Sequence, residues 1–89
     1  MSTFTVQVTY RRGKPLAAYI YLSGRKGRKS VRTEEFRPNL LIDYSKDGSP
    51  LGIEVLSLRL SSDDLYAAFD HLGLSRPDPR ELRPILAAA

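Results

Sequence analysis

Apolar and polar residues alternate along the first two thirds of the chain, with the two-residue period of a strand that buries one face. Turns rich in Gly, Pro and charged residues interrupt this alternation. The pattern therefore predicts an antiparallel β-meander of four to five strands over residues 1–60. The predicted strands run from Phe4 to Tyr10, from Leu16 to Leu22, from about Ser30 to Arg37, from Leu40 to Tyr44 and from Leu51 to Leu56.

Asp47 and Gly48 lie between the last two predicted strands, and Asp-Gly is a strong signal for a two-residue type I′ hairpin turn. The register that this turn sets makes one face of the hairpin entirely apolar, which assigns that face to the core. Asp43 and Glu54 then share the polar face as diagonal neighbours. The predicted opposite pairs are Lys46 with Ser49, Tyr44 with Leu51 and Ile42 with Ile53.

One amphipathic helix is predicted over residues 61–73, giving an α+β fold in a single domain of residues 1–89. Ser61 or Ser62 is a suitable N-cap, two aspartates follow in the first turn, and Gly73 occupies the C′ position. The helix is followed by a Pro-rich tail, residues 74–89, in which we expect only a short helical turn because Pro84 interrupts it. The apolar positions with helical spacing are Leu65, Ala68, Phe69 and Leu72.

The composition excludes several chemistries. The chain has no Cys and a single His, His71, so it holds no disulfide, iron–sulfur cluster, thiol nucleophile or His-rich metal site. No charged segment precedes an apolar leader and no run of about 18 apolar residues occurs, so we expect no signal peptide, no membrane span and a cytoplasmic location. Serines lack a nearby candidate base and no phosphate-binding glycine loop is present, so we expect neither an enzyme nor a cofactor.

The net charge of +4 is unevenly distributed, because the basic residues cluster in the first 37 positions. Such clusters are typical of nucleic-acid binding, but these lie in two turns at opposite ends of one predicted strand, about 20 Å apart. A single chain therefore does not join them into one patch, whereas a dimer would. The candidate nucleic-acid-binding residues are Arg11, Arg12, Lys14, Arg25, Lys26, Arg28 and Lys29.

Asp43 and Glu54 are also a candidate carboxylate pair for a divalent cation or for acid–base chemistry. The simpler interpretation is a solvated polar face whose carboxylates pair with Arg32 or Arg37 on the neighbouring strand. On that interpretation the pair binds no metal.

Four segments of the chain together resemble a small prokaryotic family, domain of unknown function 2283. The segments are Val31 to Glu35, Leu41 to Tyr44, Asp47-Gly48 and Leu51 to Leu56. The resemblance runs from about Thr9 to Leu60, although Arg11, Arg12 and Lys14 replace acidic residues of the family. It implies an antitoxin-like role beside small ribonuclease-like toxins. The positions that it carries over as candidate partner-binding residues are Glu34, Glu35, Asp43 and Glu54.

Five short strands and one helix bury only a modest core, and one three-turn helix covers part of one sheet face. We therefore expect a homodimer that buries the other face or a sheet edge. The function expected first is a non-enzymatic, homodimeric protein-interaction module with an antitoxin-like role. A nucleic-acid-binding protein and a carboxylate metal site are the alternatives.

Overall fold

The computed structural model describes residues 4–22, 29–58 and 60–86. Within these residues the chain forms five strands followed by two helices. They are β1 (Phe4–Arg11), β2 (Lys14–Leu22), β3 (Arg32–Arg37), β4 (Leu40–Tyr44), β5 (Pro50–Val55), α1 (Ser62–His71) and α2 (Arg83–Leu86).

The strands form one sheet in the order β1-β2-β5-β4-β3, and each adjacent pair is antiparallel. The α+β class, the antiparallel sheet and the C-terminal helix are thus confirmed. One pairing departs from a strictly sequential meander, because β5 lies between β2 and β4 and β3 takes the far edge. Four of the six residues of β3 are charged, which suits an edge, whereas β5 is buried or half-buried throughout, which suits the centre.

The β4–β5 turn differs from the predicted type I′ turn. Only Gly48 has positive φ, +86°, and three residues, 46–48, form the loop. Ser45 donates its N–H to the carbonyl of Ser49 across this loop, at 2.9 Å. The side chain of Asp47 accepts the Ser49 N–H at 3.0 Å and the Ser45 hydroxyl, so its carboxylate closes the loop.

This turn also decides the register of the hairpin. Ile42 faces Ile53 as predicted, but a bulge places Tyr44 opposite Pro50, so the predicted pair with Leu51 is wrong. The predicted pair of Lys46 with Ser49 is wrong as well, because Lys46 lies inside the loop.

A type I′ turn fits another hairpin instead. Arg12 and Gly13, with φ of 54° and 76°, connect β1 to β2 between the facing residues Arg11 and Lys14.

The hydrophobic core lies between one face of the sheet and the two helices. Ile20, Ile42 and Ile53 are side by side on β2, β4 and β5, and each is fully buried. No described helix packs on the other face, which we call the open face. The main cluster of buried residues contains Ala18, Ile20, Leu22, Leu40, Ile53, Val55, Leu58, Leu65, Ala68, Phe69, Leu82 and Ile85.

Both ends of α1 form as predicted. Ser61 caps the N-terminus, its hydroxyl accepting the backbone N–H of Asp64 at 3.2 Å. At the C-terminus Gly73 has φ of +70°, and the backbone N–H of Leu74 reaches the carbonyl of Phe69 at 3.0 Å. This Schellman motif satisfies carbonyls that the last helical turn leaves free. Neither described helix is long and apolar enough to cross a membrane.

Replacement of Phe69 tests whether α1 supplies the core. Phe69 is 1% exposed, so Phe69→Ala should lower the free energy of unfolding by about 3–5 kcal/mol. Leu56→Ala is the matched control, because Leu56 is 45% exposed and its truncation should change stability by no more than about 0.5 kcal/mol. Urea unfolding followed by circular dichroism measures both, and equal losses would contradict this description of the core.

Candidate functional site: the open face of the sheet

The register brings two rows of side chains together on the open face. One row runs across the sheet as Gln7, Tyr19, Glu54, Leu41 and Glu35, and the next as Thr5, Tyr21, Gly52, Asp43 and Thr33. Taken together, the two rows combine two tyrosines with carboxylates, threonine hydroxyls and an amide, and no Lys or Arg belongs to either row.

Tyr19 lies at the centre of this surface, and the absence of a side chain at Gly52 makes room for its ring. A Cβ added at Gly52 would lie 2.3 Å from Cε1 and 2.5 Å from the hydroxyl of Tyr19. The ring of Tyr21 is its other neighbour, with a centroid distance of 4.6 Å. Glycine at position 52 thus leaves the space that the end of the Tyr19 ring occupies.

Tyr19 reaches across β5 to a carboxylate on β4. Its hydroxyl donates to Oδ2 of Asp43 at 2.7 Å, and Thr33 on β3 donates to Oδ1 of the same carboxylate at 2.5 Å. Asp43 therefore links three strands through two short hydrogen bonds to an anionic acceptor.

Burial of the ring, followed by the hydrogen bond to Asp43, raises the pKa of Tyr19 well above the ordinary tyrosine value. Burial disfavours the phenolate, and an anion beside the hydroxyl disfavours it further. Tyr19 is accordingly a neutral hydrogen-bond donor, which suits a fixed element of a binding surface.

The structure divides the four candidate partner-binding residues between two faces. Asp43 and Glu54 are diagonal neighbours on the open face, as predicted, and Glu35 lies in the same row as Glu54. Glu34 faces the helix side, where its carboxylate lies 3.7 Å from His71 Nε2. The alternation of β3 already separates the two adjacent glutamates, because neighbouring residues of a strand point to opposite faces.

The expected pairing of Asp43 or Glu54 with Arg32 or Arg37 does not occur. Arg32 lies over the ring of Tyr44 on the helix side, with its guanidinium carbon 4.1 Å from the ring centroid. Arg37 reaches Asp64 at the start of α1, at 3.7 Å. Both arginines occupy register positions on the helix side, so they cannot reach the open face.

The surroundings of the carboxylate pair bear on the metal-site alternative. Among the described residues no group of three or more His, Cys, Asp or Glu is placed to hold a metal ion. Both oxygens of Asp43 already accept hydrogen bonds from hydroxyl groups, which a cation would have to displace.

The candidate basic residues do not belong to the open-face rows. Arg11, Arg12 and Lys14 are exposed at the β1–β2 turn, where with Pro15 and Leu16 they line a hollow of about 420 Å³. Lys29 is exposed in the segment that precedes β3, and the separation of the two basic turns stays a prediction. Arg25, Lys26 and Arg28 lie outside the described residues.

The structure is therefore that of a small α+β protein whose sheet has one covered and one open face. The family model described as Protein of unknown function (DUF2283) matches residues 17–59, from β2 through β5, which is just under half of the chain. This match confirms the resemblance over that segment. Comparison with curated proteins and with solved structures found no significant match.

The match contains Tyr19, Thr33, Asp43 and Gly52, and so the hydrogen-bonded centre of the open face. Tyr19 and Tyr21 are two positions apart on one strand, so strand alternation by itself puts them on the same face. It gave no indication of the bond from Tyr19 to Asp43, because the two residues are 24 positions apart and a different strand lies between them.

The contact between Tyr19 and Gly52 leads to a double-mutant test. Gly52→Ala should lower the free energy of unfolding by about 1–3 kcal/mol, because the new methyl group displaces the Tyr19 ring from Asp43. In a Tyr19→Ala background the same substitution should have little effect. Urea unfolding of the wild type, both single variants and the double variant gives the coupling energy; additive losses would contradict the proposed contact.

The raised pKa of Tyr19 gives a pH dependence with a definite sign. The unfolded chain releases the Tyr19 proton near pH 10.0 and the folded chain only at higher pH, so stability is lost as pH rises above 10. The loss from this group has an upper limit of about 1.4 kcal/mol per pH unit, and water around the part-exposed ring keeps it below that limit. Tyr19→Phe should remove it, giving a flatter dependence of unfolding free energy between about pH 9 and 11. Equal slopes for the two proteins would count against this assignment.

Proposed function

We propose that this protein is a non-enzymatic, homodimeric interaction module that binds a protein partner through the open face. The observation that carries the proposal is the fixed centre of that face, where Tyr19, held by Gly52 and Asp43, lies beside Tyr21. Tyrosines are enriched in protein interfaces because they contribute a large contact area with few rotatable bonds. A surface already ordered in this way loses little conformational entropy on binding.

Charge indicates the chemistry of the partner. The two rows contain Glu35, Asp43 and Glu54 and no basic residue, although the whole chain has a net charge of +4. A partner surface with Lys or Arg side chains complements these carboxylates, whereas a phosphate backbone is repelled by them. An antitoxin-like role is the specific form of this proposal, since a ribonuclease-like toxin binds its substrate with basic residues that an acidic face would occupy.

A matched pair of glutamates tests the proposal. Glu35 and Glu34 are adjacent on β3 but lie on opposite faces of the sheet. Glu35→Lys and Glu54→Lys should each weaken partner binding at least about tenfold, by placing a cation against a basic surface. Glu34→Lys makes the same change of charge on the helix side and should retain wild-type binding. Melting temperatures of the three variants serve as the control for folding.

The binding experiment is affinity capture of the tagged proteins from host lysate, with and without nuclease treatment. Support requires a stoichiometric protein that survives nuclease, is retained by Glu34→Lys and is lost with Glu35→Lys and Glu54→Lys. Its affinity for the purified chains is then measured by calorimetry. Equal retention by all three variants would exclude the open face as the binding surface.

Nucleic-acid binding is the outcome that would replace this proposal. Tyr10 is 61% exposed and is followed directly by Arg11 and Arg12, so the β1–β2 turn combines an aromatic ring with cations. Two results together would assign the function to this turn. Nucleic acid is captured, and its removal releases every associated protein. Its binding is then abolished when Arg11, Arg12 and Lys14 are changed to Gln.

A further inference from the structure

The two edges of the sheet differ sharply in how they are protected. The β3 edge has six residues, four of them charged, and a bulge between Glu35 and Arg37. Charges and bulges prevent an edge from pairing with another chain. The β1 edge has eight residues and no charge from Phe4 to Tyr10. The irregularity between β1 and β2 places the extra residue, Leu16, on β2, so β1 itself is regular.

The sequence of β1 reads almost identically in both directions from Gln7. Val6 and Val8 flank Gln7, Thr5 and Thr9 follow, and an aromatic residue stands at each end, Phe4 and Tyr10. In an antiparallel pair related by a two-fold axis, residues at equal distances on either side of the axis face each other. An axis at Gln7 therefore places each residue from Phe4 to Tyr10 opposite one of the same chemical type.

The surroundings of these residues suit such pairing. Val6 and Val8 pack against the hydrophobic core on the helix side but remain half-buried. Facing the partner's Val8 and Val6, they would extend the core across the interface and bury more apolar surface. On the open face Thr5 meets the partner's Thr9, and no charged group from Phe4 to Tyr10 has to be desolvated.

We infer that the free edge of β1 is the homodimer interface, with a second copy of this chain paired antiparallel about Gln7. This inference rests on the proposed homodimer and specifies its geometry. The two five-stranded sheets join into one continuous sheet, with the helices of both copies on one side and both open faces on the other. Gln7 connects the interface to the open face, because its Oε1 accepts the Tyr21 hydroxyl at 3.1 Å. Dimerisation thus doubles the acidic partner surface.

The absence of Cys from the chain allows a direct test by disulfide crosslinking. In the inferred register Gln7 faces the partner's Gln7 at about 4.5–5.5 Å between Cα atoms, within the range of a disulfide. Gln7→Cys should therefore oxidise to a covalent dimer with twice the 10.0 kDa mass of the chain. Thr5→Cys is the matched control on the same face of the same strand, where the two cysteines would be about 14 Å apart and should not crosslink.

Charge pairing tests the register without oxidation. Thr5→Lys combined with Thr9→Glu places each lysine opposite the partner's glutamate and should retain the dimer. Thr5→Lys combined with Thr9→Lys places like charges opposite each other and should give monomers. Light scattering of the purified chains measures mass, and circular dichroism confirms that both variants remain folded.

Each outcome of these measurements decides the inference. Selective crosslinking at Gln7, with a dimer in the Lys–Glu variant and a monomer in the Lys–Lys variant, supports it. Any one of three results overturns the inferred interface. They are a monomeric wild type, crosslinking at Thr5 as efficient as at Gln7, and a dimer that persists in the Lys–Lys variant. These experiments need only the purified chain and no other protein. The loss of binding to the protein partner with Glu35→Lys is measured separately. A failure of the β1 interface is thereby distinguished from a failure of partner recognition by the open face.

Discussion

The insertion of β5 between β2 and β4 is the constraint on which the rest of the structure depends. It lines up Ile20, Ile53 and Ile42 on the covered face, so the centre of the sheet and the centre of the core coincide. It also moves β3 to the far edge, where its charged residues are accessible to water. A sequential meander would have placed that charged strand inside the sheet, at a large cost in desolvation.

The same insertion creates the centre of the open face. Gly52 on β5 leaves a gap that the Tyr19 ring fills, and through this gap the hydroxyl of Tyr19 reaches Asp43 on the far side of β5. The hydrogen bond from Thr33 extends the connection to β3. Three of the five strands, β2, β4 and β3, are thus joined by side chains on the face that no described helix covers. The order of this surface is consequently a property of the sheet and needs no covering layer.

Charge is segregated in a way that the net value conceals. The open-face rows carry carboxylates, the β1–β2 turn carries cations, and on the helix side Arg37 of β3 pairs with Asp64 of α1. A molecule with this distribution presents different chemistry to different partners. The proposed protein partner and a nucleic acid would occupy separate surfaces, which is why variants on the two surfaces distinguish them. Pairing of two chains at β1 would keep the acidic faces together on one side.

The sequence by itself determined the local features: the five strands, the ends of α1, the facing pair Ile42 and Ile53, and the shared face of Asp43 and Glu54. These follow from a two-residue period, a serine cap and a glycine with positive φ, all of which act over a few residues. Only the tertiary structure decided the position of β5, the contact of Tyr19 with Gly52 and Asp43, and the pairing of Arg32 and Arg37 on the helix side. These features depend on which strands become neighbours. The order of the strands is set by the apolar burial of the whole sheet, which no short segment of the sequence determines.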